Sequence, residues 1–231
     1  MKILVVDDDM ISRMALVDVI NACGNYRIVE VASGDEAWQQ ISGPGVPPML
    51  VCCDIRMPGM SGIELLKKVR ATPASQDMPF VLISMANDAD TIKEAIQFGV
   101  TGYIVKPFSQ KDARERLSKA LALSGSKVME RPADTMARLK FEPDRYRAYL
   151  TTMQRQVAQL IGEIAAISNS EALRPIREKM AVLQTGCAPL GLWRAAALLQ
   201  KFSAEGSASA DMLDSLDELQ QQLHHQLFAI D

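Results

Sequence analysis

No apolar stretch in this 231-residue chain approaches the ~18 residues of a membrane-crossing helix, and no signal peptide precedes the first strand-like run. Both absences point to a cytoplasmic protein with no membrane contact. Cysteine is sparse. Cys23, Cys52, Cys53 and Cys187 have no metal-ligand spacing, and two of them sit inside an apolar run, so buried free thiols are expected. An excess of one charge is also missing: 25 Lys+Arg stand against 28 Asp+Glu. Split at residue 129, the counts are 14 against 15 and 11 against 13, so neither half is basic and neither reads as a nucleic-acid-binding module. Residues 130–231 lack a glycine-rich nucleotide loop, a metal cluster and a basic recognition helix, which argues against an enzymatic or nucleic-acid output there.

What is present is a change of pattern partway along the chain. Up to about residue 123, short apolar runs at 3–6, 27–31, 49–53, 80–84 and 103–105 alternate with amphipathic segments at 11–21, 35–41, 62–70, 89–98 and 110–123. Four of the runs are rich in Val, Ile or Leu with little polar alternation, as strands covered on both faces require. Five βα units in a row predict an α/β fold with a doubly wound, five-stranded parallel sheet over residues 1–123. A Ser-Gly-Ser-Lys stretch after Leu123 reads as a hinge, and 124–140 as a linker. No strand is predicted over 141–231. Four helices are expected there, over 144–167, through Ile176, Met180 and Leu183 after the capping residues Ser168-Asn169-Ser170, over 189–202, and through Leu213 to Leu227 after the break at 203–207. Short connections suggest an all-α antiparallel four-helix bundle.

Open α/β sheets carry their chemistry beyond the carboxyl ends of the strands. Those ends hold Asp7 and Asp8, Asp54, Ser84, and Lys106-Pro107. Crowded carboxylates need a compensating cation, and a small hard ion with oxygen ligands suits them; Mg2+ also accepts a phosphoryl oxygen. Asp54 then supplies a carboxylate nucleophile, with Mg2+ on Asp8 and Asp54, and through water on Asp7, to one side. Lys106 neutralises phosphoryl oxygens on the other, and Ser84 donates a hydrogen bond that exists only when phosphate is present. Taken singly these residues have duller roles: Asp7 to Asp9 as a helix cap, Asp54 as a loop cap, Ser84 as a satisfied strand-end hydroxyl, Lys106-Pro107 as a surface turn. Their joint placement on the correct strand ends favours the site.

The segments LVVDDD (4–9), CCDIRMPGMSG (52–62), VLISMA (81–86) and GYIVKPF (102–108) resemble the receiver domains of bacterial response regulators, a flavodoxin-like fold. The resemblance implies phosphorylation of Asp54, Mg2+ held by Asp7 and Asp8 with help from the Arg56 carbonyl, and a switch pair of Ser84 and Tyr103. It also implies a cis Lys106–Pro107 bond. A sensor histidine kinase or a histidine phosphotransfer (HPt) protein would be the phosphodonor, and self-catalysed transfer and slow hydrolysis the only chemistry. Met85 departs from the family pattern, which has a small residue after the switch hydroxyl. It either restricts access to the phosphoryl site or turns into the core. Arg56 either covers the site or stays solvated.

Residues 171–204 resemble, more distantly, the central hairpin of an HPt domain. Matching Leu183, Leu190 and Gly191 to that motif puts Ala181 where the phosphorylated histidine belongs, Gln184 for the lysine and Thr185 for the glycine. His224 and His225, the only histidines, read as solvated helix residues rather than a relocated relay. The resemblance implies a catalytically dead HPt-like module that binds an unknown protein partner through Ala181, Gln184 and Thr185. The alternative is a homodimer, with the stripe from Leu150 to Ile164 as a coiled-coil seam.

Overall fold

The computed structural model describes residues 1–85, 89–166, 173–200, 202 and 209–230. Its contacts divide the chain into two units, Met1–Gly43 with Pro47–Ser124, and Pro44–Val46 with Gly125–Asp231.

The first unit alternates strand and helix: β1 Lys2–Val6, α1 Met10–Asn21, β2 Arg27–Val31, α2 Gly34–Ser42, β3 Leu50–Asp54, α3 Gly62–Ala71, β4 Phe80–Met85, α4 Ala89–Gln97, β5 Gly102–Lys106 and, up to Ser124, α5 Gln110–Val128. The strands form one parallel sheet in the order β2-β1-β3-β4-β5. Every residue of the central strands β1 and β3 is buried, whereas the edge strands β2 and β5 are partly exposed. This is why the inner strands read as unbroken apolar runs. The sheet order reverses between β1 and β3, so the carboxyl ends of these two strands face a common crevice.

Helix starts on the crevice side are fixed by local caps. Ser61 and Glu64 make a reciprocal capping box at the start of α3. A Cβ at Gly62 would overlap the Asp54 carbonyl, so only glycine lets α3 begin against the end of β3.

In the second unit the described helices are α6 Pro132–Leu139, α7 Pro143–Ala165, α8 Leu173–Cys187, α9 Trp193–Gln200 and α10 Ser209–Phe228. α7 packs on α8 and α10, and α9 packs on α8 and α10. Tyr146, Leu150, Met153, Val157, Leu160 and Ile164 of α7 are buried with Ile176, Met180 and Leu183 of α8 and Met212, Leu216, Leu219 and Leu223 of α10.

Several expectations for this half need correction. The segment 124–140 is mostly helical: α5 continues to Val128, with the Ser124 hydroxyl donating back to the Ala120 carbonyl, and α6 begins on Pro132 as its first residue. Ser and Gly punctuate a helix weakly when its carbonyl ladder stays satisfied. The third expected helix loses its first four residues, because Gly191 takes a left-handed φ of 79° and the Leu192 N–H closes the end of α8 on the Cys187 carbonyl. The apolar stripe from Leu150 to Ile164 is interior to its own unit, so it is not a seam for dimerisation. Ser168-Asn169-Ser170, the break at 203–207 and Ala86 of the VLISMA segment lie outside the described residues.

Candidate functional site

The three aspartates after β1 divide their work. Asp9 caps α1, accepting from the Ser12 N–H at 2.7 Å, which holds its carboxyl below the usual range. Asp7 and Asp8 are left for the crevice. Asp7 is 1% exposed and Asp8 is exposed. One oxygen each from Asp7, Asp8 and Asp54 lie within 4.8 Å of one another, a spacing that can hold a metal ion. An all-oxygen set with two buried members suits a hard divalent cation such as Mg2+.

Lys106 reaches over from the end of β5. Its Nζ lies 2.8 Å from Asp7 Oδ2 and 2.7 Å from Asp54 Oδ2. Burial works against this ammonium, yet its bonds to Asp54 and Asp7 outweigh burial and hold its pKa above the ordinary value. Burial also pushes the Asp7 carboxyl up, with Lys106 pulling the other way. The Lys106–Pro107 bond is cis.

Ser84 stands in β4, fully buried, and its hydroxyl oxygen has no hydrogen-bond partner among the described residues. That is unusual for a buried hydroxyl. Tyr103 is half-buried in β5, opposite Leu82; the Arg116 guanidinium lies 5.1 Å over its ring and also donates to its carbonyl. Met85, opposite Lys106 in the strand register, is 46% exposed, so its placement in the core is excluded. Arg56 is exposed on the loop after β3, and its N–H donates to Asp54 Oδ1 at 3.4 Å.

One residue at this edge gave no sequence signal. Arg13, in α1, donates through Nη1 to the Asp7 carbonyl at 2.6 Å, and its Nε lies 3.2 Å from Glu30 Oε2 on β2. An arginine one turn into an amphipathic helix looks like any solvated one until the fold is known.

In the second unit, Ala181 and Gln184 are half-buried on α8 and Thr185 is exposed. The Thr185 hydroxyl is committed to the Val182 carbonyl at 2.7 Å. Gly186 faces α7, where a Cβ would crowd the tip of Met153. His224 and His225 are exposed on α10. The sequence also missed a polar cluster. Glu130 accepts from Thr135 and Arg138, Arg138 donates to the Pro189 carbonyl, and the Glu130 N–H donates to the Gly191 carbonyl. A side chain at Gly191 would meet Thr135 Oγ1 at 2.6 Å and Glu130 Cβ at 2.8 Å.

A parallel sheet in this order, with three aspartates and a lysine at its crevice, defines the first unit as a receiver. The profile of the response regulator receiver domain matches residues 3–118, just over half of the chain, and the chain belongs to that family. It is similar to a chemotaxis protein CheY homolog of Campylobacter jejuni, 35% identical over 121 residues that cover 52% of this chain and 92% of that protein. Chemotaxis protein CheY-3 of Vibrio cholerae is 36% identical over 119 residues, covering 52% and 90%. Among solved structures, a putative response regulator from Chloroflexus aurantiacus aligns at 31% identity with a TM-score of 0.48, covering 52% of this chain and 97% of the other. No described helix is long and apolar enough to cross a membrane.

Proposed function

We propose that this is a cytoplasmic response regulator phosphorylated on Asp54 by a sensor histidine kinase or an HPt phosphodonor. The observation that carries the reading is the Lys106 ammonium shared between Asp7 and Asp54, beside a buried Ser84 hydroxyl with no described partner. An Asp54 oxygen attacks the phosphorus of a phosphohistidine; the O–P bond forms as the P–N bond breaks, and the imidazole leaves. Lys106 moves from carboxylate to phosphoryl oxygen as charge develops there. Asp7, Asp8 and Asp54, with the Arg56 carbonyl, are the residues to hold Mg2+, which supplies positive charge to the phosphoryl oxygens when bound. Ser84 gains an acceptor once the phosphoryl group is in place, and Tyr103 completes the switch pair. The chain's chemistry is confined to accepting this group and losing it slowly to water. Acetyl phosphate with Mg2+ should add one phosphoryl group to the chain, read by intact mass; absence of any labelling would overturn the reading.

The output is read as protein–protein interaction through a four-helix bundle of HPt type, spanning 141–231 after the segment 124–140, with no phosphorylatable histidine. The packed neighbours α7/α8, α8/α9, α9/α10 and α10/α7 support a closed bundle. The partner is placed on the face bearing Ala181, Gln184 and Thr185, because Ala181 is not a core residue. Alanine offers no nitrogen nucleophile, so phosphotransfer through this position is excluded and docking remains. The test is a binding titration of the full chain against receivers and kinases, each in both phosphorylation states.

A further inference from the structure

We infer that Arg13 is a positioning residue for the metal site, acting on Mg2+ through the Asp7 backbone rather than by touching the ion. The inference rests on the reading of Asp7, Asp8 and Asp54 as a cation site.

The loop between β1 and α1 must present two successive carboxylates while its own backbone stays bonded. Its outer contacts are weak or local. The Asp7 N–H reaches the Val31 carbonyl at 3.3 Å, and the Asp9 N–H closes on Asp7 Oδ1 at 3.0 Å. The Asp7 carbonyl is held differently. Arg13 Nη1 donates to it at 2.6 Å, and Arg13 Nε is itself held 3.2 Å from the Glu30 carboxylate on β2. A planar guanidinium can satisfy both acceptors at once; an ammonium on a flexible stem cannot do so with the same fixed direction. The side chain is largely covered, 17% exposed, so the bridge is not a surface ion pair of the kind that contributes little.

The bridge ties α1, the loop and β2 together at Asp7, whose carboxylate shares the Lys106 ammonium with Asp54. If the Asp7 peptide turns, Asp7 Oδ1 and the following Asp8 carboxylate turn with it, and the three-oxygen spacing is lost. Residues that orient ligands without touching the ion commonly change metal affinity about 10- to 100-fold when removed.

The experiment is calorimetric titration of Mg2+ into the full chain, wild type, Arg13→Ala, Arg13→Lys and Glu30→Gln, with metal-free thermal unfolding of each and amide exchange over residues 7–9. Arg13→Ala should weaken Mg2+ about 10- to 100-fold and Glu30→Gln by a smaller factor in the same direction. Arg13→Lys should recover less than half of the logarithmic loss, and amide exchange at 7–9 should rise in all three. Unchanged Mg2+ affinity in Glu30→Gln and Arg13→Ala overturns the inference, as does full recovery by Arg13→Lys, which would assign the effect to charge alone. Glu30 is half-exposed at the sheet edge, so its variant remains informative if Arg13→Ala fails to fold. No Mg2+ binding by the wild type would overturn the metal reading itself, a result separable from wild-type binding that the variants leave untouched.

Discussion

The Lys106 ammonium stands between two carboxylates, 2.7 Å from Asp54 Oδ2 and 2.8 Å from Asp7 Oδ2, so the proposed phosphoacceptor is already bonded to the cation proposed to assist it. Asp54→Ala and Asp54→Asn are expected to abolish labelling by acetyl phosphate. Lys106→Ala should leave Asp54 intact but slow its phosphorylation by about 100- to 1000-fold, the cost of one preorganised charge at a developing anion. Intact mass and initial rates check both. Undiminished labelling of Asp54→Ala would move the site elsewhere.

Mg2+ should depend on Asp8 more than on Asp7. Asp8 is exposed with its oxygen facing the cluster, whereas Asp7 is already engaged by Lys106. Calorimetry should find Asp8→Ala binding at least about tenfold more weakly, a loss of about 1.4 kcal/mol or more. Equal affinity in wild type and Asp8→Ala removes the metal role of this residue.

Met85 is exposed and opposite Lys106 in the strand register, and the expectation to be tested is that its side chain restricts approach to Asp54. Replacement by alanine should raise both autophosphorylation by small donors and autodephosphorylation, since in-line approach becomes easier. Rates within twofold of wild type would show that the side chain does not restrict access.

On α8, Ala181→Glu should weaken partner binding while leaving the helical unit folded, because the position is half-buried rather than core. Ala181→His should restore little phosphotransfer, as Gln184 lacks the positive charge to stabilise the transferring group. Light scattering of the full chain bears on the competing reading: a stable dimer dispersed by Ala181→Glu would assign this face to self-association.

Glu130 links stability to pH. Its carboxyl is held below the ordinary value by Arg138 and Thr135. A depressed folded-state pKa stabilises the fold above the unfolded value of about 4.5, and that contribution fades as pH falls through the folded value. Glu130→Gln should therefore cost the second unit up to about 1 kcal/mol at pH 7 and progressively less below pH ~4.5. Urea unfolding followed by Trp193 in a Trp38→Phe background measures it. A loss of equal size at pH 3 and pH 7 would contradict the assignment.

The sheet and its edge residues were legible because they rest on local signals: inner strands as unbroken apolar runs, helices at a 3.6 period, and carboxylates, a hydroxyl and a lysine at strand ends. The start of α1 shifted by one residue because the Asp9 cap fixes it at Met10, and β3 runs one residue later than read, Leu50–Asp54. What stayed hidden depends on partners far away in sequence. Arg13 becomes informative only beside Glu30, and α6 only once Glu130 meets Arg138, Pro189 and Gly191. Pro189-Leu190-Gly191 reads as the start of a helix, and the left-handed Gly191 with its close contacts to Thr135 and Glu130 makes it a turn instead.

The Ser84 hydroxyl, with no hydrogen-bond partner among the described residues, has a thermodynamic consequence for the proposed switch. A buried polar group without a partner raises the free energy of its state by about 1–3 kcal/mol. In the proposed switch, gaining an acceptor on phosphorylation would favour the phosphorylated state and can shift a two-state equilibrium about 5- to 150-fold. Ser84→Ala should make the unphosphorylated protein harder to melt and its phosphorylated form harder to tell apart from it, so the same oxygen that weakens the fold widens the gap between its two populations.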